Sequence, residues 1–343
     1  MSKKIRIGIN GFGRIGRTVF RSLLKDARGI EVVAINDLGD PEALAHLLEF
    51  DSIHGVLERE VTFGTDCLIV NGVKTPVYRQ KDPNNIPWSE HDVDVVLEAT
   101  GRFKTKREAI GHINAGARHV VITAVGDGED IKTIVLGAND HLIDVDDKII
   151  SNASCTTNCA APLVDVIDKN FQIVSGYITT VHSYTSDQTL HDRPHADLRR
   201  ARAAALSMIP TTTGAAKAIT KIFPHLDGHL GGAGIRVPVP NGSLTDVTYI
   251  VSKKTTVDEV NARFKEASEG GSWKGILGYT EKPIVSADVV GNRHSCVFDA
   301  KLTSVIGNMV KIVGWYDNEM GYSTRLIDLI SYWSKFWVSS DKT

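Results

Sequence analysis

The chain has four cysteines in 343 residues, Cys67, Cys155, Cys159 and Cys296, too few for the disulfide framework of a small secreted domain. It has no excess of positive charge either: 39 Lys and Arg stand against 41 Asp and Glu, a formal charge of −2. No basic block with interleaved aromatics offsets that balance, which argues against nucleic acid as a partner. No apolar run approaches the length of a membrane span, so no membrane partner is expected. The opening MSKKIRIGINGFG lacks the apolar core and small-residue cleavage site of a secretory signal. The expected setting is a reducing cytoplasm. No second Cys/His pair with ligand spacing accompanies Cys155 and Cys159, so no metal is expected.

A 42% hydrophobic, 23% charged composition is that of an ordinary globular protein, and the length predicts two domains. KIRIGIN, residues 4–10, is a β-prone run followed by GFGRIG. RTVFRSLLKD then carries Val19, Phe20, Leu23 and Leu24 at helical spacing, and IEVVAIND, residues 30–37, reads as a second strand. Together these make one right-handed βαβ unit. Gly11, Gly13 and Gly16 stand in G-x-G-x-x-G spacing at its turn. Such glycines permit a tight bend, close approach of backbone to a pyrophosphate, and close helix–strand packing, while the helix start offers free N–H groups. Asp37 ends the second strand, where a carboxylate bonds the ribose hydroxyls of NAD. The motif in this context predicts dinucleotide binding over a purely structural turn.

Further apolar runs at residues 67–70, 93–101, 119–125, 133–139 and 148–152 alternate with helical stretches such as EALAHLLEF and KREAIGHINAGA. This rhythm predicts an α/β fold with a mostly parallel, doubly wound sheet and helices on both faces. Thr100, Gly101 and Thr123 fall at strand ends, where such sheets bind ligands, although a plain turn explains each as well.

The stretch SNASCTTNCAAP, residues 151–162, raises the question of chemistry. It leads into a predicted helix with Leu163, Val166 and Ile167 on its apolar face, which puts Cys155 near a helix N-terminus. Free N–H groups and the helix dipole favour a thiolate there. Cys159, one turn on, suits buried packing, whereas Ser154, Thr156, Thr157 and Asn158 give Cys155 a polar setting. A nucleophile needs a base, and His182 ends a β-branched run among Thr180, Ser183, Tyr184 and Thr185. Spacing alone leaves open whether the two meet. Two further clusters suit an oxyanion. Arg199, Arg200 and Arg202 precede a Thr-Thr-Thr-Gly turn and a helix, and Arg236 lies in an otherwise apolar β-run. Salt bridges to Asp or Glu explain each arginine about as well.

Taken together, INGFGRIGR, ASCTTNC, VHSYTSDQ, DLRRARAAALSMIPTTTGAAKA, RVPVPN and WYDNEMGYS resemble the phosphorylating, NAD-dependent glyceraldehyde-3-phosphate dehydrogenase family over residues 4–332. The resemblance implies an NAD-binding domain at 1–153, joined by a returning C-terminal helix within 319–343, and a mixed-sheet α+β catalytic domain at 154–318. It implies Cys155 as nucleophile, His182 as base and the pair as an ion pair. Gly11, Phe12, Gly13, Arg14, Ile15, Asp37, Thr100, Gly101, Thr123, Asn318 and Tyr322 would meet the cofactor, Asn318 facing the nicotinamide amide. Ser154, Thr156, Thr213 and Gly214 would hold inorganic phosphate, and Thr185, Arg200 and Arg236 the substrate or incoming phosphate. Homotetramers are the family habit. Rival readings are an erythrose-4-phosphate dehydrogenase, or a catalytically idle NAD-binding or adhesion protein.

The chain departs from the family pattern at several points. Arg193-Pro194 stands where Leu-Pro is typical, and Arg193 is a candidate for tolerating the 2′-phosphate of NADP. Met320 replaces a common tryptophan, Val125 a usual proline near an extra residue around Lys132, and Gly242 a typical valine. The tail, with Trp333, Phe336 and Trp337, is unusually aromatic and is expected to pack on the first domain or at a subunit contact.

Overall fold

The computed structural model describes residues 4–337. The chain forms two compact units, the first running to Ile134 and including His141–Ala153 and the chain from Ser323 onward, the second comprising Val135–Asp140 and Ser154–Tyr322. Residues 135–140 and 319–322 therefore fall on the other side of the expected boundary. The apolar run TIVLGAN does not continue as a strand beyond Lys132–Thr133. It curls because Asn139 Oδ1 accepts the Val135 N–H at 2.8 Å and Asp140 Oδ1 accepts the Gly137 N–H at 2.8 Å. At the other end, Asp317 Oδ1 accepts the N–H groups of Glu319 and Met320, both at 2.8 Å, and ties the start of the last helix to the second unit.

The first unit is built on a nine-stranded sheet in the order Lys132–Thr133, Ile149–Ser151, His119–Ile122, Val95–Glu98, Ile5–Asn10, Ile30–Asn36, Val73–Tyr78, Cys67–Val70, Val61–Phe63. Every neighbouring pair as far as Val73–Tyr78 is parallel, and the last two strands join antiparallel. Val95–Glu98 and His119–Ile122 are buried at every position, which is why Val95 to Leu97 and Val120 to Ile122 are apolar without alternation. Trp88, Val96, Ala109, Val120 and Ile149 belong to one core cluster under them. Helix Lys106–Asn114 starts on a reciprocal cap, Thr105 Oγ1 taking the Glu108 N–H while the Glu108 carboxylate takes that of Thr105.

The last helix, Met320–Trp337, brings its aromatic end to this unit. The Trp337 ring stacks on His119 at 4.2 Å and Trp333 meets the same imidazole edge-on at 4.8 Å. Burial pushes His119 down to about 4; its hydrogen bond to the Asp94 carbonyl works the other way, and Lys148 and Arg118 add to the depression. The folded state thus holds a neutral ring that the unfolded chain protonates near pH 6.5. Its contribution is whole above that pH and is lost as pH falls towards 4, a loss of up to about 3 kcal/mol. Melting curves between pH 7 and 4.5 should show a decline in the native chain that His119→Phe reduces.

The second unit carries an eight-stranded mixed sheet, ordered Ile209–Thr211, Leu230–Val237, Ile173–Ser183, Ser243–Val251, Met309–Tyr316, Cys296–Asp299, Leu277–Thr280, with Ser304–Ile306 on Met309–Tyr316. Ser243–Val251 alternates strictly between buried and half-buried positions. Helix Cys155–Phe171 contacts four of these strands, and helix Val257–Glu269 stacks Phe264 on Phe298 at 3.9 Å. Elsewhere the sheet is open, with Tyr177 52% and Ile306 70% exposed. Among the described residues no helix is long and apolar enough to cross a membrane.

Candidate active site

In the first unit, the strand-to-helix turn after Ile5–Asn10 is shaped by its glycines. Gly11 has φ +93°, and a Cβ there would lie 2.8 Å from the backbone of Ala99 and Thr100. A Cβ on Gly16 would lie 2.3 Å from the Gly11 carbonyl oxygen, whereas Gly13 faces open space. Helix Arg14–Lys25 has no side-chain cap and no acidic residue in its first turn, so its leading N–H groups are available to an anion. Asp37 lies at the same turn, accepting the Phe12 N–H at 2.7 Å and the Gly39 N–H at 2.8 Å. A cleft of about 270 Å³ is lined by Asn10, Gly11, Gly13, Asn36, Asp37, Gln80 and Thr100, among others. An open glycine, an uncapped helix and a carboxylate beside one cleft fit a dinucleotide.

Not every expected contact residue can use its side chain. The Phe12 ring is buried against Phe20 at 5.6 Å. The Arg14 guanidinium sits 2.6 Å from Asp51. Burial works to raise the Asp51 carboxyl, but Arg14 and the N–H groups of His54 and Ile53 outweigh it and hold the group down at about 2. The Phe12 N–H is likewise taken by Asp37 and its carbonyl accepts from the Arg17 guanidinium at 2.8 Å, so Phe12 shapes the turn, and the Arg14 side chain is committed to Asp51. Gly101 is an exposed left-handed glycine, Thr100 and Ile15 are half-buried, and Thr123 follows the strand His119–Ile122 with its N–H on the Glu98 carbonyl.

In the second unit, Cys155 is the first residue of helix Cys155–Phe171. Ser154 is the N-cap, its Oγ accepting the Thr157 N–H at 3.1 Å. Ala153, wholly buried and two residues before Cys155, has φ +55°, a conformation costly for any side chain. Cys155 Sγ lies 3.4 Å from His182 Nε2, so the two residues that spacing alone could not join do meet. The other ring nitrogen, Nδ1, is 2.7 Å from the Ser183 carbonyl and 2.9 Å from an Arg236 amino group. With Nδ1–H donating to that carbonyl, the Nε2 lone pair faces the sulfur.

Burial pushes the Cys155 thiol up to about 11, against the pull of Arg236, the Thr156 N–H and the Thr156 hydroxyl. Burial and the Arg236 charge push His182 down to about 3. Both directions have one cause: a lone charge on either group is poorly solvated. The consequence is that the pair keeps a single proton between its two atoms. Arg236 opposes an imidazolium while it favours a thiolate. Arg236 itself is largely buried, touches Thr185 Oγ1 at 3.4 Å and has no carboxylate partner among the described residues. Arg200 differs: it ion-pairs with Asp187, lies 3.7 Å from Asp197 and donates to Thr211 Oγ1 at 3.0 Å.

Thr213 and Gly214 sit at the start of helix Ala215–Ile222, where Gly214 provides no side-chain cap and Thr213 Oγ1 accepts the Ala215 N–H at 3.2 Å. The Thr156 hydroxyl also meets the Tyr316 hydroxyl at 2.9 Å, which in turn meets Thr180 at 2.9 Å. Tyr322 is buried, which raises its hydroxyl well above the usual range, with Cys155 the second cause. Asn318 Oδ1 accepts hydrogen bonds from Ser183 Oγ at 2.8 Å and Ser243 Oγ at 2.9 Å, which fixes Nδ2 as the other, donating end of its side chain. Ser183, Ser243 and Tyr316 were missed as site residues; the available signal was a polar residue at a buried phase of a strand. Cys159 is fully buried with Sγ 3.7 Å from the Gly314 carbonyl, a packing residue. A side chain at Gly242 would collide with the Ser286 carbonyl at 2.2 Å, which accounts for glycine at that departure. No cluster of three or more His, Cys, Asp or Glu able to hold a metal occurs among the described residues.

Two family models match: the NAD-binding domain of glyceraldehyde 3-phosphate dehydrogenase over residues 5–106 and its C-terminal domain over residues 154–318. The chain is 55% identical to glyceraldehyde-3-phosphate dehydrogenase 2 of Streptomyces avermitilis, covering 95% of this chain and 97% of that one. It is 54% identical to glyceraldehyde-3-phosphate dehydrogenase of Geobacillus stearothermophilus, over 96% of this chain and 98% of that one. The enzyme of that name from Mycobacterium tuberculosis is 53% identical over 95% and 98%.

Proposed function

Since the chain belongs to the glyceraldehyde-3-phosphate dehydrogenase family, we propose that it oxidises D-glyceraldehyde 3-phosphate to 1,3-bisphosphoglycerate with NAD⁺ and inorganic phosphate. The observation that carries the reading is the 3.4 Å approach of Cys155 Sγ to His182 Nε2, beside an arginine that has no carboxylate partner among the described residues. NADH formation from glyceraldehyde 3-phosphate should depend on phosphate. Phosphate-independent turnover of erythrose 4-phosphate, or no turnover of either aldehyde, overturns it.

The chemistry follows from the shared proton. Cys155 attacks the aldehyde carbon as its proton passes to His182 Nε2, whose Nδ1–H remains on the Ser183 carbonyl. A substrate phosphate paired with Arg236 neutralises the charge that opposes an imidazolium, so binding itself promotes the transfer. Donors at the start of helix Cys155–Phe171 face the hemithioacetal oxygen; His182 hands that oxygen the proton it took from the sulfur, and takes it back as the carbon is oxidised. Bound NAD⁺ supplies the hydride acceptor. The resulting thioester on Cys155 is attacked by inorganic phosphate held by Ser154, Thr156, Thr213 and Gly214; the C–S bond breaks, the acyl phosphate leaves and the sulfur recovers its proton from His182. Thr185 and Arg200 complete the recognition of phosphate, and Asn318 donates to the nicotinamide amide.

The fit of the glycine turn supports NAD held by Gly11, Gly13, Asp37, Thr100, Gly101 and Thr123, with the backbone of Arg14 and Ile15, while Phe12 shapes the turn. Asp37, a negative charge at the ribose, keeps NAD preferred over NADP. Arg193 is exposed and makes no ion pair among the described residues, which suits it to meet a 2′-phosphate. Arg193→Leu should lower kcat/KM for NADP and leave that for NAD unchanged; an unchanged ratio rejects that role. The open face of the second sheet, with Tyr177 and Ile306 in water, supports assembly into a homotetramer. A cytoplasmic location accords with thiol chemistry, which needs Cys155 reduced.

A further inference from the structure

Three neighbouring parallel strands of the first unit end on polar residues in register: Glu98 pairs with Asn10, and Asn10 with Asn36. All three are buried, Glu98 to 1% exposure, and no lysine or arginine ion-pairs with that carboxylate among the described residues. Four neutral donors satisfy it instead. Oε1 takes the N–H of Thr100 at 2.9 Å and the Thr100 hydroxyl; Oε2 takes Asn10 Nδ2 at 2.6 Å and His112 Nε2 at 3.0 Å. The donor status of His112 is forced, because its Nδ1 lies 3.1 Å from the indole N–H of Trp88, which can only donate.

The carboxylate fixes polarity outward as well. Asn10 must turn its amide to Glu98, so its Oδ1 is left to accept Asn36 Nδ2 at 2.8 Å. Asn36 Oδ1 then accepts the Gln80 N–H at 2.8 Å while its amide also meets the Gln80 carbonyl at 2.9 Å. One chain of hydrogen bonds thus runs from the Trp88 indole to the Gln80 backbone. Thr100, Asn10, Asn36 and Gln80 line the cleft beside the glycine turn, and Glu98 and His112 lie beneath it.

We infer that Glu98 is a positioning residue for the cofactor: its buried carboxylate sets which groups donate and which accept across the floor of the nucleotide cleft, from Thr100 to Gln80. The inference rests on the reading that this cleft takes NAD. A glutamine has the same shape, but its amide presents a donor to another donor at one of the four contacts. That forces either the Thr100 turn or the Asn10–Asn36 chain to rearrange. The chemistry at Cys155 is not touched.

Titration of Glu98→Gln with NADH and with ADP-ribose, followed by protein fluorescence, tests this. Both dissociation constants should rise by at least about tenfold, while kcat at saturating NAD⁺ and KM for glyceraldehyde 3-phosphate stay within about threefold of the native values. Thr100→Val removes one donor to the same oxygen, and its effect should be non-additive with that of Glu98→Gln. Native affinity in Glu98→Gln, or strictly additive effects, overturns the inference. If Glu98→Gln does not fold, His112→Phe, which removes a donor to Glu98 from a residue outside the cleft lining, decides alone: weaker ADP-ribose binding at an unchanged melting temperature supports the inference, and native binding overturns it. A native chain that binds neither probe fails the cofactor reading instead.

Discussion

Cys155→Ser loses aldehyde oxidation by at least about 10⁴-fold while binding NADH as the native chain does. The loss is expected to be this large because a hydroxyl in the same place keeps its proton far more tightly than a thiol. His182 therefore faces a group that ionises far less readily than the thiol it meets at 3.4 Å in the native chain. An alkoxide at that position would also have to form where burial already pushes a thiol up to about 11. Binding is spared because the glycine turn, Asp37 and Thr100 belong to the other unit and do not depend on the sulfur. A stopped-flow record of NADH, with and without phosphate, is the direct check: the native chain gives a burst as acyl enzyme accumulates, and the serine variant gives none. A serine variant with more than a hundredth of the native rate contradicts the assignment of the nucleophile.

His182→Asn should be slowed by about 10² to 10⁴-fold, the usual worth of a positioned acid–base group. Its pH dependence is more telling than its rate. In the native chain one proton is held between sulfur and imidazole, so the reactive combination is maintained over a plateau. Acid removes it by adding a second proton to the pair, and alkali by taking the only one. Without the imidazole the thiol must lose its proton to solvent. The thiol lies above the usual range for burial reasons, so the variant's rate of alkylation by iodoacetamide should climb about tenfold per pH unit through pH 7 to 9. The native rate should be nearly flat across its plateau. Parallel profiles for the two proteins would show that His182 does not share the Cys155 proton.

How far the sequence discloses such a site depends on the distance over which each contact is made. The glycine turn is local, and Gly11, Gly13 and Asp37 were legible because a strand, a turn and a helix follow one another in a known order. Cys155 was legible from its polar neighbours at a helix start. Its meeting with His182 rests on a contact 27 residues apart that no spacing rule specifies, and was reached only through the resemblance. The serines holding Asn318 act across 135 and 75 positions, and their one local trace is a polar residue at a buried phase of a strand. Side-chain partners were the least visible. Arg14 stands at a cofactor position, yet its guanidinium belongs to Asp51, and the Thr156 hydroxyl also reaches Tyr316. Residues 133–139 were misread as a strand because Asn139 and Asp140 accept N–H groups just upstream, and an apolar composition conceals such a turn.

The helix that opens at Arg14 has neither a capping side chain nor an acidic first turn, so an arriving anion adds acceptors that no side chain there supplies. A helix finished in this way makes part of the fold's resilience a loan from the nucleotide supply. Each tenfold rise of free nucleotide above its dissociation constant adds about 1.4 kcal/mol to the folded state. In a cell whose nucleotide pool falls, the same chain would become easier to unfold and to digest before any residue had changed, tying the lifetime of the protein to the abundance of what it consumes.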